Sequence, residues 1–359
     1  MREFTMRKHE KRSIFKNSIL VFLLQVLLTF IVLALGLSFT TWSTDQGQHP
    51  KLNRVKIINQ HQNALTSYIK LGNFHFVNNR DYAEPNNYSL HYNQTFNPYR
   101  HLNFAGGNQR MNFKPYARLK NLDSEHNPQS IAITNHGTLY VTHRVDNRGE
   151  IQIIRYHITE KRHHLQFTNY AAGPVFKGGH GQSLAYNPKT HKLWMLTNEE
   201  GASFMTSIQE IGKKSLNPIK QINFIMYPYP MGDVLTFDKH GNAYTCTRTF
   251  NPRGGANMGS LKLYKGKISH NQVQFHMVQG IRNAPGLIMQ NMGYDPKHNR
   301  IYFVTDGELM SAPTKYFNHL RPNDIKATKL TGHYEFEDIA FYHGHGYLLL
   351  HYPSELLIN

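Results

Sequence analysis

Five segments of this 359-residue chain repeat one plan, and this repeat constrains the fold more than any other feature of the sequence. Each segment has a short apolar strand, a polar turn, and a second strand of β-branched or aromatic residues. The segments begin at Ser130, Ser183, Val234, Met292 and Asp338. Each first strand carries a small residue at an aligned position; these are Ala132, Ala185, Thr236, Gly293 and Ala340, at spacings of 53, 51, 57 and 47. A hairpin repeat of about 50 residues is typical of a β-propeller with four-stranded blades.

The turns of the repeats use residues that favour hairpins. Pro188 and Pro296 follow Asn and Asp, where a fixed φ opens a turn. The pairs His136-Gly137, His240-Gly241 and His345-Gly346 supply a glycine that can take a positive φ. Large side chains would collide where innermost strands surround an axis, which explains the small residue of each first strand. The sequence therefore predicts an all-β protein, a five-bladed β-propeller spanning residues 113–359.

The last blade ends with one short strand at 354–358, so its outer strand has to come from elsewhere. The segment 113–119 is the best donor, because the internal Pro115 is tolerable at a sheet edge. The alternative to a closed ring is an open sandwich or two stacked sheets. Little helix is expected: residues 203–211 and 312–320 are at most single turns.

The N-terminal part predicts a membrane anchor. Residues 1–17 carry six basic and two acidic side chains, and residues 19–39, within the expected anchor 18–41, carry no charge. This length suits a bilayer, and the basic flank places the N-terminus in the cytoplasm. The alternative is a cleaved signal peptide. Residues 42–112 are expected to be an extracellular spacer and irregular region. The prediction is a single-pass cell-membrane protein with its bulk outside the cell.

Charge and cysteine content narrow the classes of function. The chain has 40 Lys and Arg against 23 Asp and Glu, a formal charge of +17, which attracts anionic partners. A single cysteine, Cys246, excludes a disulfide framework and cysteine-built metal clusters. Cys246 lies in an apolar strand and is expected to be a core residue. The paucity of cysteine in an exported chain favours a Gram-positive bacterium.

A ring of polar residues is expected at one mouth of the propeller axis. Three residues before each aligned small residue stand Gln129, Gln182, Asp233, Gln290 and Glu337, and near them are His180, Asn127, Asn291, Glu335 and Asp338. Converging amides and carboxylates can bind a sugar, a cation or a phosphate-bearing polymer. They can equally begin the inner strands and fill a wet channel. A third possibility is glycoside cleavage by Asp233 and Glu337. No residue is assigned as catalytic or as a metal ligand, and no cofactor is expected.

The chain resembles the helveticin J-like proteins, large bacteriocins of lactobacilli. The resemblance lies in the strand starts of the type Gln/Glu-x-x-small, in GHGQSLAYNPKTHKLWML at 179–196, and in D-x-x-G-N-x-Y at 238–244. It covers roughly residues 127–359 and implies a five-bladed propeller with an antibacterial activity. The anchor of this chain departs from a freely released bacteriocin. The family brings no agreed catalytic residues.

These observations favour a non-enzymatic binding module at the cell surface. Its expected partners are an anionic cell-wall polymer or glycan and, through the N-terminal helix, the membrane. Nucleic acid is not expected, and the oligomeric state is left open. The many histidines predict stronger binding as the pH falls through about 6.5. The alternatives are a helveticin-like antibacterial protein and a glycan-cleaving propeller enzyme.

Overall fold

The computed structural model describes residues 53–59, 68–70, 111–119, 127–146, 148–158, 165–166, 170–197, 205–226, 233–249, 260–282, 289–305, 308–330, 335–351 and 354–359. By the contacts between its residues, the chain divides into two compact units, residues 1–50 and residues 51–359. Within the described part no helix has both the length and the apolarity to cross a membrane. The predicted cytoplasmic segment 1–17 and anchor 18–41 lie outside the described residues, so both stay predictions.

The described residues of 51–359 form five sheets, and each sheet has a core of four antiparallel strands. The strands of the N-terminal half are β1 (Asn53–Asn59), β2 (Tyr68–Lys70), β3 (Lys114–Arg118), β4 (Asn127–Ile133), β5 (Thr138–Arg144), β6 (Glu150–His157), β7 (Leu165–Gln166), β8 (Ala171–Lys177), β9 (Ala185–Asn187), β10 (Lys192–Leu196), β11 (Met205–Ile211) and β12 (Pro218–Met226). The remaining strands are β13 (Thr236–Phe237), β14 (Ala243–Thr249), β15 (Ser260–Ile268), β16 (Val273–Arg282), β17 (Met289–Asp295), β18 (Arg300–Thr305), β19 (Glu308–Pro313), β20 (Lys326–Lys329), β21 (Phe336–Tyr342), β22 (His345–Leu350) and β23 (Glu355–Ile358).

The sheets are the five predicted propeller blades. Blade 1 is β4-β5-β6-β8, blade 2 is β9 to β12, blade 3 is β13 to β16, blade 4 is β17 to β20, and blade 5 is β21-β22-β23-β3. The five-bladed prediction is therefore confirmed. The alternative of an open sandwich or two stacked sheets is wrong.

The ring closes through β3, which lies in the segment 113–119 that was predicted to complete the last blade. β3 pairs antiparallel with β23, and the Leu119 amide donates to the Ser354 carbonyl at 2.9 Å. Pro115 lies opposite Leu357 at a register shift, where a missing amide hydrogen is tolerated. Arg118 bonds the buried Glu355 at 3.2 Å across this joint. The outer strand of the last blade thus comes from the start of the propeller sequence.

The core consists of apolar layers between neighbouring blades. Five buried clusters are present, and each joins a different adjacent pair, including blades 5 and 1. Cys246 is buried in the layer between blades 3 and 4, as its apolar strand predicted. Burying one layer per joint stabilises the ring as a whole, since no blade buries both of its faces alone.

The aligned small residues line the axis. Together with their neighbours on the innermost strands they surround one channel of about 300 Å³. At Gly293 the packing is closest: a Cβ atom there would lie 2.0 Å from the Ile339 carbonyl oxygen of the next blade. Only glycine fits this contact, which confirms the steric reason given for small residues.

Three details differ from the sequence predictions. Residues 205–211 form β11, not a helical turn, because they pair on both sides with β10 and β12. The turn in blade 5 is at His343 and Gly344, which have φ of 48° and 79°, whereas Gly346 belongs to β22. Short parallel strands β1, β2 and β7 extend blades 2, 3 and 5 at their outer edges. The prediction of a spacer over 42–112 did not anticipate β1 and β2. In the region 312–320 a single 3₁₀ turn, Thr314–Tyr316, is present as expected.

Candidate functional site

The predicted ring residues stand where the inner strands begin, and in three blades a β-bulge displays them. Gln129, Gln290 and Glu337 are each skipped by the pairing of the innermost strand with its neighbour. A bulge leaves the extra residue out of the ladder and re-aims its side chain. Gln182 and Asp233 precede β9 and β13, three residues before the aligned small residue. In these three blades the repeated polar residue of the sequence therefore corresponds to a repeated β-bulge at the start of the inner strand.

Hydrogen bonds join this ring across the axis. Gln182 Nε2 of blade 2 donates to Gln290 Oε1 of blade 4 at 2.5 Å, and these blades are not neighbours. Gln290 Nε2 in turn donates to Glu335 Oε1 of blade 5 at 3.3 Å. Far-separated residues of the sequence thus meet at one mouth of the channel.

His351 links two carboxylates at this mouth. Its Nδ1 lies 2.7 Å from Glu335 Oε2 and 3.5 Å from Glu337 Oε1. The Glu337 side chain is 2% exposed, whereas Glu335 and His351 reach solvent in part. We call the five residues Gln182, Gln290, Glu335, Glu337 and His351 the axial mouth.

The electrostatics of the mouth favour an ionised Glu335. Burial opposes its ionisation, but hydrogen bonds from His351 and Gln290 and the nearby charges of His351 and His180 outweigh burial and lower the pKa of Glu335. This also places His180 close to the mouth, as the sequence suggested. The carboxylate is therefore a charged hydrogen-bond acceptor across the neutral pH range.

Asn291 and Asp338 have a different environment, inside the joints between blades. Asp338 Oδ2 accepts from the Ile131 amide of blade 1 at 2.7 Å, and Oδ1 accepts from the Ile339 amide at 2.7 Å. Complete burial raises the pKa of Asp338 well above its usual range, although the hydrogen bonds from Ile131, Ile339 and Asn291 oppose this shift. These contacts support a role in aligning the inner strands.

Ser130 repeats the interblade contact one joint further on. Its hydroxyl accepts from the Leu184 amide of blade 2 at 3.1 Å, as Asp338 accepts from Ile131. Ser130 follows Gln129 and Asp338 follows Glu337, so the residue after the polar strand start hydrogen-bonds the next blade at two successive interfaces between blades.

The other two predicted site residues are less central to the mouth. The Gln129 side chain donates to its neighbour, the Pro128 carbonyl, at 3.2 Å. Asp233 is half-buried just before the third blade.

The residue that sequence reasoning missed is His351. It could have been found from the hairpin register, since it lies opposite Glu335, to whose carbonyl its amide donates at 3.1 Å.

The mouth can act chemically in two ways. Its amide, carboxylate and imidazole groups include both hydrogen-bond donors and hydrogen-bond acceptors. Such a mixture suits the hydroxyl groups of a sugar, which donate and accept. Glu335, Glu337 and His351 can also hold a metal ion, since each offers a ligand atom and these atoms lie within 4.8 Å of one another. The sequence assigned no metal ligands, so this grouping comes from the structure.

No protein-family model and no curated protein matches this chain. The similarity to the helveticin J-like family therefore stays a prediction. What the fold defines is the class, a five-bladed β-propeller with a polar axial mouth.

Proposed function

We propose that this protein is a membrane-anchored, extracellular, non-enzymatic binding module that holds cell-wall glycan at its axial mouth. The observation that carries the proposal is the hydrogen bond from Gln182 to Gln290 across the ring axis. It links blades 2 and 4, and Gln290 in turn bonds Glu335 of blade 5, so polar groups of three blades are held together at the mouth. Glu335 and His351 are partly exposed and offer polar groups to a ligand there, and groups fixed in advance lower the cost of binding.

Binding is favoured over cleavage by the state of the carboxylates. Glu337, which the cleavage hypothesis requires, is almost fully buried and lies against His351. A substrate bond would have to reach a carboxyl group that is 2% exposed. Glu335 is accessible and is held as an acceptor by two side chains. These contacts suit recognition of hydroxyl groups more than proton transfer to a leaving group.

The test is retention of the purified full chain, in a non-ionic detergent, on Gram-positive cell walls stripped of their anionic polymers. Gln290→Leu keeps the side-chain volume and removes the link between Gln182 and Glu335. We expect at least a tenfold loss of glycan affinity, about 1.4 kcal/mol. The matched control is Gln272→Leu, because Gln272 is exposed and lies away from the mouth.

Equal retention of wild type and Gln290→Leu, with unchanged melting temperatures, would overturn the proposal. Wild-type protein that does not bind the stripped walls would overturn it too. A parallel arm with a chelator separates direct hydroxyl contacts from contacts through an ion held by Glu335, Glu337 and His351.

A further inference from the structure

A second recess lies between blades 3 and 4, away from the axial mouth. It is a cleft of about 650 Å³, formed by β15, β16 and the 3₁₀ turn that follows β19. Four basic side chains line it: Lys265, Lys267, His276 and Lys315. We call this recess the basic cleft. Its remaining polar lining is uncharged, with Asn242, Gln274, Thr314 and Asn318.

The strand register gathers the positive side chains on one face. Lys265 lies opposite His276, and Lys267 lies opposite Gln274. Side chains two residues apart on a strand share a face, so these four project together into the cleft. Placing basic groups side by side and directly opposite one another destabilises a sheet. A function of the cleft explains this unfavourable arrangement.

Counter-charges are missing from the cleft among the residues that the structure describes. None of its lining residues is acidic, and no ion pair joins Lys265, Lys267 or Lys315 to a described carboxylate. Lys265 and Lys315 instead lie 5.7 and 5.1 Å from the ring centres of Tyr244 and Tyr316. The positive potential of the cleft is therefore not neutralised by its own walls.

Asp238, the carboxylate that bonds the lining residue Asn242, is already engaged. Asp238 is buried and accepts hydrogen bonds from the His240 amide, from Asn242 and from the Tyr244 hydroxyl at 2.7 to 2.9 Å. Asp238 therefore fixes the Asn242 turn and the Tyr244 ring beneath Lys265. It stabilises the wall of the cleft rather than filling it.

We propose that the basic cleft binds a phosphodiester polymer built from sugar or polyol units. Lysine ammonium groups bind phosphate as point charges, and three lysines line this one cleft. The amides and the Thr314 hydroxyl stand among the lysines, where they can bond the hydroxyl groups between phosphates. This site deepens the proposed function, because it names the anionic wall component and gives it a place separate from the glycan.

The test uses a fluorescently labelled glycerol-phosphate polymer and the purified full chain in a non-ionic detergent. Three cation–phosphate contacts, at roughly 0.7 released counterions each, predict about a 20-fold loss of affinity between about 50 and 200 mM salt. The variant Lys265→Gln/Lys267→Gln/Lys315→Gln should bind at least about tenfold more weakly at the lower salt and should lose most of this salt dependence. The matched control, Lys213→Gln/Lys214→Gln/Lys326→Gln, removes the same charge at exposed positions outside the cleft.

Equal losses in the two triple variants would overturn the site, since bulk charge would then explain the binding. Competition by polygalacturonate as strong as by the unlabelled phosphate polymer would overturn the phosphate assignment, and preference for single-stranded DNA would overturn the sugar or polyol assignment. Melting curves of both variants identify any failure to fold, and in that case the single variant Lys267→Gln, at an exposed position, takes the place of the triple variant. Stripped walls do not contain the polymer, so their retention through Gln290 tests the glycan site independently.

Discussion

In the axial mouth, Gln182, Gln290 and Glu335 bond one another across the ring, whereas the lysines of the basic cleft face solvent without acidic partners among the described residues. Both are polar sites of one closed ring of blades. The mouth has its donors and acceptors fixed in advance, so it can discriminate by geometry. The cleft supplies an unbalanced potential, which attracts by charge and responds to salt. The lysines of the cleft thus act at the contact between two blades, while the polar residues that begin the repeated inner strands act at the axis.

The largest expected effect comes from breaking the frame of the mouth. Asp338→Ala leaves the buried amides of Ile131 and Ile339 without their acceptor, which we expect to cost about 2 kcal/mol of unfolding free energy. Glycan affinity should fall with it, and polymer binding at the cleft should not change in the folded protein. Denaturant unfolding followed by binding assays measures both. Asp324→Ala, which removes a partly exposed carboxylate that accepts from the Arg321 amide at 2.8 Å, is the control and should cost less, about 0.5 to 1 kcal/mol. A loss of polymer binding equal to that of glycan binding would show that the two recesses are not independent.

The second largest effect is expected from a pH titration of glycan binding, which tests the axial mouth separately from the basic cleft. The pKa of Glu335 is lowered, so its contribution is present above its usual range and is lost only as the pH falls through the lowered value. Glycan binding should therefore not decline from pH 7.5 to pH 5, and it should fall about tenfold at lower pH, when the charged hydrogen bonds are lost. Glu335→Gln should not show this fall. A decline that begins near neutral pH would contradict this assignment.

Lys262 sharpens the comparison within one strand, since it lies on β15 with the cleft residues Lys265 and Lys267 but is 2% exposed. Burial lowers the pKa of Lys262 to about 8. Its charged form opposes folding, so wild-type stability should rise as the pH increases from about 8 towards the ordinary lysine value of 10.5. Lys262→Met should stabilise the protein at pH 7 by about 1 kcal/mol after screening, and this gain should vanish at high pH. Lys265→Met is the control and should give no gain. Thermal unfolding across this pH range is the measurement.

The smallest expected effect concerns the cation–π contact at the rim of the cleft. Tyr316→Leu removes the ring 5.1 Å from Lys315 Nζ and should weaken polymer binding about twofold, in line with roughly 0.5 kcal/mol for an exposed contact. Glycan binding should not change. A loss as large as that of the triple lysine variant would mean that Tyr316 itself holds the ligand.

The repeat made the architecture predictable from the sequence because each blade encodes its own hairpin. Local patterns are enough to predict three features of the fold. These are the small residues at the axis, the closing strand around Pro115 and the polar residue at each strand start. The added strands β1, β2 and β7 could not be predicted in this way. Their partners lie on distant blades, and nothing local marks an edge that will be extended.

The candidate site was predictable only in part, for a related reason. The ring rule located Gln182, Gln290 and Glu337, but it could not say which of them would bond across the axis. It missed His351, whose place depends on the pairing of β21 with β22. The basic cleft needs two blades side by side, so no single repeat contains it.

The pairing of β3 with β23 has a consequence for how the ring is made. A ribosome produces Lys114–Arg118 before the repeated hairpins and Glu355–Ile358 after them, so the closing partners are separated by nearly the whole propeller sequence. Four blades can assemble as the chain is synthesised, but the circle is completed only once β23 has been made. Such long-range closure is slow, and it leaves an open sheet edge exposed until β23 is available. A chain that lacks β23 would keep that edge permanently, and we expect it to self-associate.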